Sequence, residues 1–235
     1  MTNLTSEQIR QLNSYSTYLT PAAYPLFTLE DLLMDEKTAD CLNAVQAVSG
    51  CPNSTVTASF FMRRIGMFVS MQLYNLAAYD EVWDGNANAL YFGATEEYGN
   101  RTVSIYAKES DWQSFDEDEH EVVIRKILLQ VDAIIRQLRT VSSISPLTLW
   151  ENVFGFLLWH YHVLLGNPGT SQEARADLDI LLDAHTWTDI APRSLFATYL
   201  NGREPSNLLN TTVRTTCCLS KDVPGLMQCG FCPLK

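Results

Sequence analysis

Residues 57–79 read TASFFMRRIGMFVSMQLYNLAAY, aromatic- and methionine-rich, with Arg63 and Arg64 as the only formal charges. A helix so apolar around its circumference must be covered by other elements rather than lie on a surface. It therefore predicts a core helix. Further along, Pro146 restarts the chain, and residues 147–165, LTLWENVFGFLLWHYHVLL, are apolar nearly all round until Gly166-Asn-Pro-Gly169 stops them. Two buried helices set the expectation of a mainly α architecture.

Working outward, Thr5-Ser-Glu-Gln8 has capping-box spacing and predicts a short helix. Residues 28–48 place Leu29, Leu32, Leu33, Ala39, Leu42, Val45 and Val48 at three- and four-residue steps, which predicts one amphipathic helix ended by Ser49-Gly-Cys-Pro-Asn-Ser54. Ala89–Gly93 and Thr102–Ala107 are rich in β-branched and aromatic residues, and a segment containing Tyr98-Gly-Asn-Arg101 joins them. They predict a small antiparallel hairpin, with a third strand near Glu81–Trp83. Ser114-Phe-Asp-Glu117 predicts the capped start of an amphipathic helix to about Arg139, its acids at 116–119 lying where the helix dipole favours negative charge. Thr170-Ser-Gln-Glu173 caps a further predicted helix to about Ala184, and Pro192 opens a last one through Leu200. The fold class expected is mainly α (α+β), a helical body with a small antiparallel sheet and a cysteine-bearing tail.

With 235 residues, 46% hydrophobic and 11% aromatic, the chain can bury a substantial core. Sixteen Lys and Arg against 27 Asp and Glu leave a formal charge of -11, which argues against nucleic acid and anionic membrane surfaces as partners. The start Met1-Thr-Asn-Leu-Thr lacks the basic and apolar pattern of an export signal, so a cytoplasmic location is expected. On that footing the Asn-x-Ser/Thr triplets at Asn3, Asn53, Asn100 and Asn210 read as chance.

The chemistry concentrates at the end of the chain. Residues 217–235, CCLSKDVPGLMQCGFCPLK, hold four of the six cysteines, as an adjacent pair, ten residues, and Cys229-Gly-Phe-Cys232. A Gly/Pro-rich turn can bring four such thiols to a common point. Zinc favours two C-x₂₋₄-C knuckles, a pattern that Cys229 and Cys232 fit and Cys217 and Cys218 do not. Disulfides need an oxidising compartment, and one between sequence neighbours is strained. A 2Fe-2S core offers two irons that each take two thiolates. Spacing leaves the three open.

From Arg214 to Lys235 the chain reads RTTCCLSKDVPGLMQCGFCPLK, and this stretch closely resembles the C-terminal tail of the FhuF-like ferric siderophore reductases. Their Cys-Cys-x₁₀-Cys-x₂-Cys pattern holds a 2Fe-2S cluster. The helix TLWENVFGFLLWHYHVLL, with its Trp150-x-Asn152 opening, and the segment FMRRIGMFVSMQLYNLAAYD resemble internal helices of that family more faintly. The resemblance implies Cys217, Cys218, Cys229 and Cys232 as cluster ligands and as the redox centre. It implies a mainly helical siderophore-handling domain over residues 1–212 and a 2Fe-2S segment over 213–235. The implied activity is one-electron reduction of chelated Fe³⁺, releasing iron from an imported siderophore in the cytoplasm. Its partners would be the ferric siderophore, an electron donor, and an inner-membrane importer touched peripherally. The competing expectation is a non-enzymatic helical protein whose tail holds structural zinc.

Other candidates carry less. Arg63, Arg64, Arg203, Arg214 and Lys221 are basic residues that a protein of this charge would need beside an anionic chelate; Arg214 and Lys221 are favoured because they adjoin the cysteines. Trp150 and Asn152 are candidate pocket residues, with the core as their plainer reading. Cys41 and Cys51 are expected to be buried small hydrophobes. His160 and His162 stand two apart on a helix and so face different ways. Asp116–Glu119 reads as a solvated helix start, lacking the alternation and central glycine of a calcium loop.

Overall fold

The computed structural model describes residues 4–97 and 99–234. Met1, Thr2 and Asn3, which opens the first triplet, Tyr98 in the expected turn, and Lys235 lie outside the described residues. The fold is mainly α, with eight α-helices, a four-stranded mixed sheet and a two-stranded sheet among the described residues. No described helix is long and apolar enough to cross a membrane.

Two helices form the spine. Helix α4 (Ser54–Tyr79) is capped by Asn53, whose Oδ1 accepts from Val56 N at 3.0 Å, and helix α6 (Pro146–Gly166) packs along it. Their backbones approach closely because Gly66 faces α6: a Cβ there would lie 2.9 Å from both Asn152 O and Val153 Cα. Beside the crossing, Asn152 Nδ2 donates to Ser59 O at 2.9 Å. The other face of α6 carries a stack of Trp150, Phe154, Trp187 and Phe196, with Trp150 and Trp187 ring centres 5.1 Å apart. Trp150 is core, not pocket lining.

Helix α1 (Ser6–Ser14) begins at the expected capping box. The single helix expected over 28–48 is instead two, α2 (Leu29–Leu32) and α3 (Asp35–Ser49). Thr28 and Asp31 close a capping box around one turn, and Asp35 and Glu36 supply the negative charge that favours a fresh N-terminus. The apolar spacing survives the break because Leu29, Leu32, Leu42 and Val45 all turn inward. Gly50, at φ +68°, ends α3 in the left-handed conformation that glycine adopts without penalty.

The hairpin is present as β4 (Tyr91–Glu97) and β5 (Asn100–Tyr106), with Gly93 opposite Ser104. It lies inside a wider sheet. A short β1 (Thr17–Tyr18) pairs parallel with β5, and β2 (Pro25–Thr28) pairs antiparallel with β4, giving the order β1-β5-β4-β2. Both outer strands are too short to carry a readable alternation. Phe27 of β2 and Phe92 of β4 pack on Phe61 of α4, with ring centres 4.9–5.9 Å apart. The third strand, β3 (Glu81–Trp83), pairs not with the hairpin but with β6 (Trp112–Ser114) in a separate sheet.

Ser114 therefore belongs to a strand and caps nothing. The capping box is made by Asp116 and Glu119, and helix α5 (His120–Val141) follows. His120 is buried, and its Nδ1 lies 2.8 Å from Oδ1 of Asp177 on helix α7 (Ser171–Leu182). Thr170 does not cap α7, because its hydroxyl donates to Leu164 O at 2.9 Å. Helix α8 (Leu195–Leu200) opens on Ser194, whose Oγ accepts from Ala197 N, so Pro192 lies before it.

Candidate functional site

The tail folds back onto the spine through one buried carboxylate. Glu151 is the only Asp, Glu, Lys or Arg in α6 and is 1% exposed. Its Oε1 accepts from Thr215 N and Oγ1, both at 2.8 Å; its Oε2 accepts from Thr216 N at 3.0 Å and from Thr216 Oγ1. Arg214 lies beside it, Nε 3.7 Å from Oε2, and donates to the carbonyls of Thr216, Glu151 and Thr148. The ion pair is buried, each charge has other hydrogen bonds, and its geometry fixes where residue 217 begins.

From there the adjacent cysteines diverge. Leu219 takes φ +57°, and its N–H lies 3.4 Å from Cys217 Sγ. Cys218 is turned into the body: its carbonyl accepts from Ser59 Oγ at 2.7 Å, and its sulfur lies 3.0 Å from Ser220 Oγ and 3.8 Å from Arg63 Nη1. Arg63 also donates to Ser220 Oγ. Cys232 Sγ, nearly fully buried, accepts from Gln228 Nε2 at 2.9 Å and from Leu234 N at 3.4 Å.

Of the four thiols, Cys218 and Cys229 act most strongly on each other, and Cys232 feels both Cys217 and Cys218. The Cys218 thiol is pushed well down, first by the hydrogen bond from Cys229 and then by Ser220 and the Arg63 charge, while that bond and burial push Cys229 up. Gln228 and the Leu234 N–H lower Cys232. Among the described residues no three His, Cys, Asp or Glu side chains surround one point as ligands of a single ion. Cysteine sulfurs with N–H donors beside Cys217 and Cys232 and a guanidinium beside Cys218 are the type of donor that a 2Fe-2S cluster takes.

A cavity of about 330 Å³ opens beside Cys229. Tyr15, Phe156, Trp159 and Phe231 form its aromatic walls, and Arg63 and Arg214 are its two cations. Phe231 reaches the spine over Gly155, where a Cβ would stand 3.6 Å from its ring. Asn152 also borders the space; its Nδ2 donates to Ser59, while its buried Oδ1 has no hydrogen-bond partner among the described residues.

Of the basic candidates, Arg214 is an anchor as well as a cavity residue. Lys221 is exposed and does not line the cavity, and Arg203 is exposed. Arg64 is committed elsewhere, 3.2 Å from Glu97 and bonded to Ser16 and Thr102. Arg63, one position earlier, is the cation that reaches the thiols; the helix periodicity sets the two on different faces. Sequence reading missed the roles of Glu151, Ser59 and Trp159. Glu151 had a signal, as the one formal charge inside an apolar helix. Ser59 and Trp159 had none, because their roles depend on the tail's path.

The remaining candidates are structural. Cys41 and Cys51 are buried, and burial pushes both thiols up, Cys41 to about 11. His160 Nδ1 lies 3.1 Å from Phe156 O and His162 Nδ1 2.9 Å from Ser206 Oγ, each with its own local partner. No family model, curated protein or solved structure matches the chain.

Proposed function

We propose that this protein is a ferric siderophore reductase whose four tail cysteines, Cys217, Cys218, Cys229 and Cys232, hold a 2Fe-2S cluster. The observation that carries the reading is that the four-cysteine tail docks on the two spine helices beside an aromatic cavity whose wall includes Cys229. When bound, the cluster supplies a one-electron centre, near roughly -400 mV in plant-type examples.

The chain's own residues do the rest. Glu151 and Arg214 fix the start of the tail on α6; Ser59, Ser220 and Arg63 hold Cys218 against α4. The guanidinium offsets negative charge on the sulfurs, and Gln228 and Leu234 N–H do the same for Cys232. Tyr15, Phe156, Trp159 and Phe231 exclude water and orient the chelate next to Cys229. Such a transfer needs proximity and orientation rather than acid–base groups. In the net reaction a separate one-electron donor is oxidised and the chelated Fe³⁺ becomes Fe²⁺. The lower charge weakens every bond from the chelate's hard oxygen donors, so reduction releases the iron. The setting we infer is the cytoplasm, with peripheral contact to an inner-membrane importer.

Protein purified without oxygen should be brown and carry about two irons and two labile sulfides per chain. Cys229→Ser should lose both the visible absorbance and the reduction of ferric chelates. One zinc per colourless chain, or reduction that survives the loss of the cluster, would refute the reading.

A further inference from the structure

A second cavity, of about 180 Å³, lies between α4, β3 and α5 and shares no residue with the one beside Cys229. Val82, Phe115, Val123 and Ile127 make its walls apolar, and the Lys126–Asp84 ion pair stands at its rim. Two polar side chains border this apolar space. Gln72, 1% exposed, has an Nε2 without a hydrogen-bond partner among the described residues, and so has the Nε1 of Trp83, 5% exposed.

The packing brings these two donors to one place. Phe68 meets the Trp83 ring edge-on, with ring centres 5.9 Å apart, and Gln72 follows Phe68 by one turn on α4. The Nε1 edge of the indole lies against Gly85, itself a lining residue, where a Cβ would stand 2.9 Å from Nε1. Any larger residue there would cover that edge. Buried N–H groups are nearly always paired, because an unmet donor carries its full desolvation cost. Two of them bordering one apolar cavity match a ligand site, in which a few placed polar groups fix orientation within apolar walls.

The donors define what would bind. Both give hydrogens, so the ligand's polar atom is an acceptor, and one carbonyl oxygen has a lone pair for each. A carboxylate is the poorer fit, since Lys126 is already paired with Asp84 and the chain carries a formal charge of -11. An apolar cavity of about 150 Å³ holds a benzene ring, so this one has room for a single small ring and its substituent. We infer that this cavity is a binding site for small neutral carbonyl compounds, such as cyclic ketones, whose oxygen accepts from Trp83 Nε1 and Gln72 Nε2.

Three probes of similar size test the inference on the full chain: cyclohexanone, methylenecyclohexane, which has the shape without the oxygen, and cyclohexanecarboxylate, which adds the charge. Nitrogen-15 NMR reads the indole N–H directly, and Trp83→Phe identifies that resonance among the five tryptophans. Cyclohexanone should bind with a dissociation constant of about a millimolar and move the Trp83 indole proton downfield, whereas methylenecyclohexane should not move it downfield. Gln72→Met should weaken cyclohexanone by about fivefold and leave methylenecyclohexane no weaker. The carboxylate should bind at least about fivefold more weakly than the ketone. No binding of the ketone, an unmoved indole resonance, an equal loss for ketone and hydrocarbon in Gln72→Met, or a carboxylate bound as tightly as the ketone would each overturn the inference. The indole shift and the carboxylate comparison are read on the unmodified protein, so they decide the matter even if Gln72→Met fails to fold.

Discussion

Replacing Glu151 with glutamine should undo the docking of the tail. The side chains of Glu151 and Arg214 are 2% and 4% exposed, so the substitution leaves a guanidinium buried without its counter-charge. It also removes one of two oxygens that together receive two backbone N–H groups and two hydroxyls. Breaking a buried pair by removing one partner costs about 3–5 kcal/mol. The remaining glutamine oxygen can still accept from Thr215 or Thr216, which places the expected loss near the lower end, about 3 kcal/mol. With a urea dependence of about 2–3 kcal/mol per molar, the unfolding midpoint should fall by about 1 M. Thr215→Val and Thr216→Val remove only hydroxyls and should cost about 1 kcal/mol each. Urea titration followed by circular dichroism measures the midpoint, and labelling of the tail thiols under native conditions reports local detachment. A midpoint within about 0.2 M of the unmodified protein, together with unchanged labelling, would refute the anchoring role.

Three further outcomes follow from the same structure. Gly66→Ala would gain about 1 kcal/mol of helix propensity but drive a methyl into the α6 backbone, and a net loss of about 1–3 kcal/mol should appear as a lowered Tm; an unchanged or raised Tm contradicts the close crossing. Burial holds the His160 imidazole down to about 4, below the roughly 6.5 of an unfolded chain, so the unfolded state takes up the proton first and stability falls as pH drops across that window. The fall amounts to about 3 kcal/mol, and His160→Phe should flatten that part of the stability–pH curve; a parallel curve counts against the assignment. Cys41→Ala should cost about 1 kcal/mol of stability and leave iron and sulfide content at the level of the unmodified protein, whereas a loss of iron would bring Cys41 into the ligand set.

How much of this was legible in the chain depended on the range of the interaction. The buried spine was readable because residues 57–79 and 147–165 are apolar on every face, and the Thr5 box because cap and partner are three residues apart. The break at Leu33 and Met34 was not, since apolar spacing continues through it while the caps on either side decide where hydrogen bonding stops and restarts. The strands flanking the hairpin were hidden by their length: β1 has two residues, and its pairing with Ile105 and Tyr106 is made across the fold. Arg63 and Arg64 look alike in sequence, yet one reaches a sulfur and the other a carboxylate on a strand.

The order of residues alone settled the helical character of the body, its acidity, and the gathering of four thiols within sixteen positions, because periodicity, charge and spacing act over a few neighbours. Tertiary structure decided that Arg63 reaches Cys218, that Glu151 holds the tail to the spine, and that a cavity opens beside Cys229. Those outcomes depend on contacts between groups as far apart in the chain as Ser59 and Cys218, 159 residues, which meet only once the two long helices have packed.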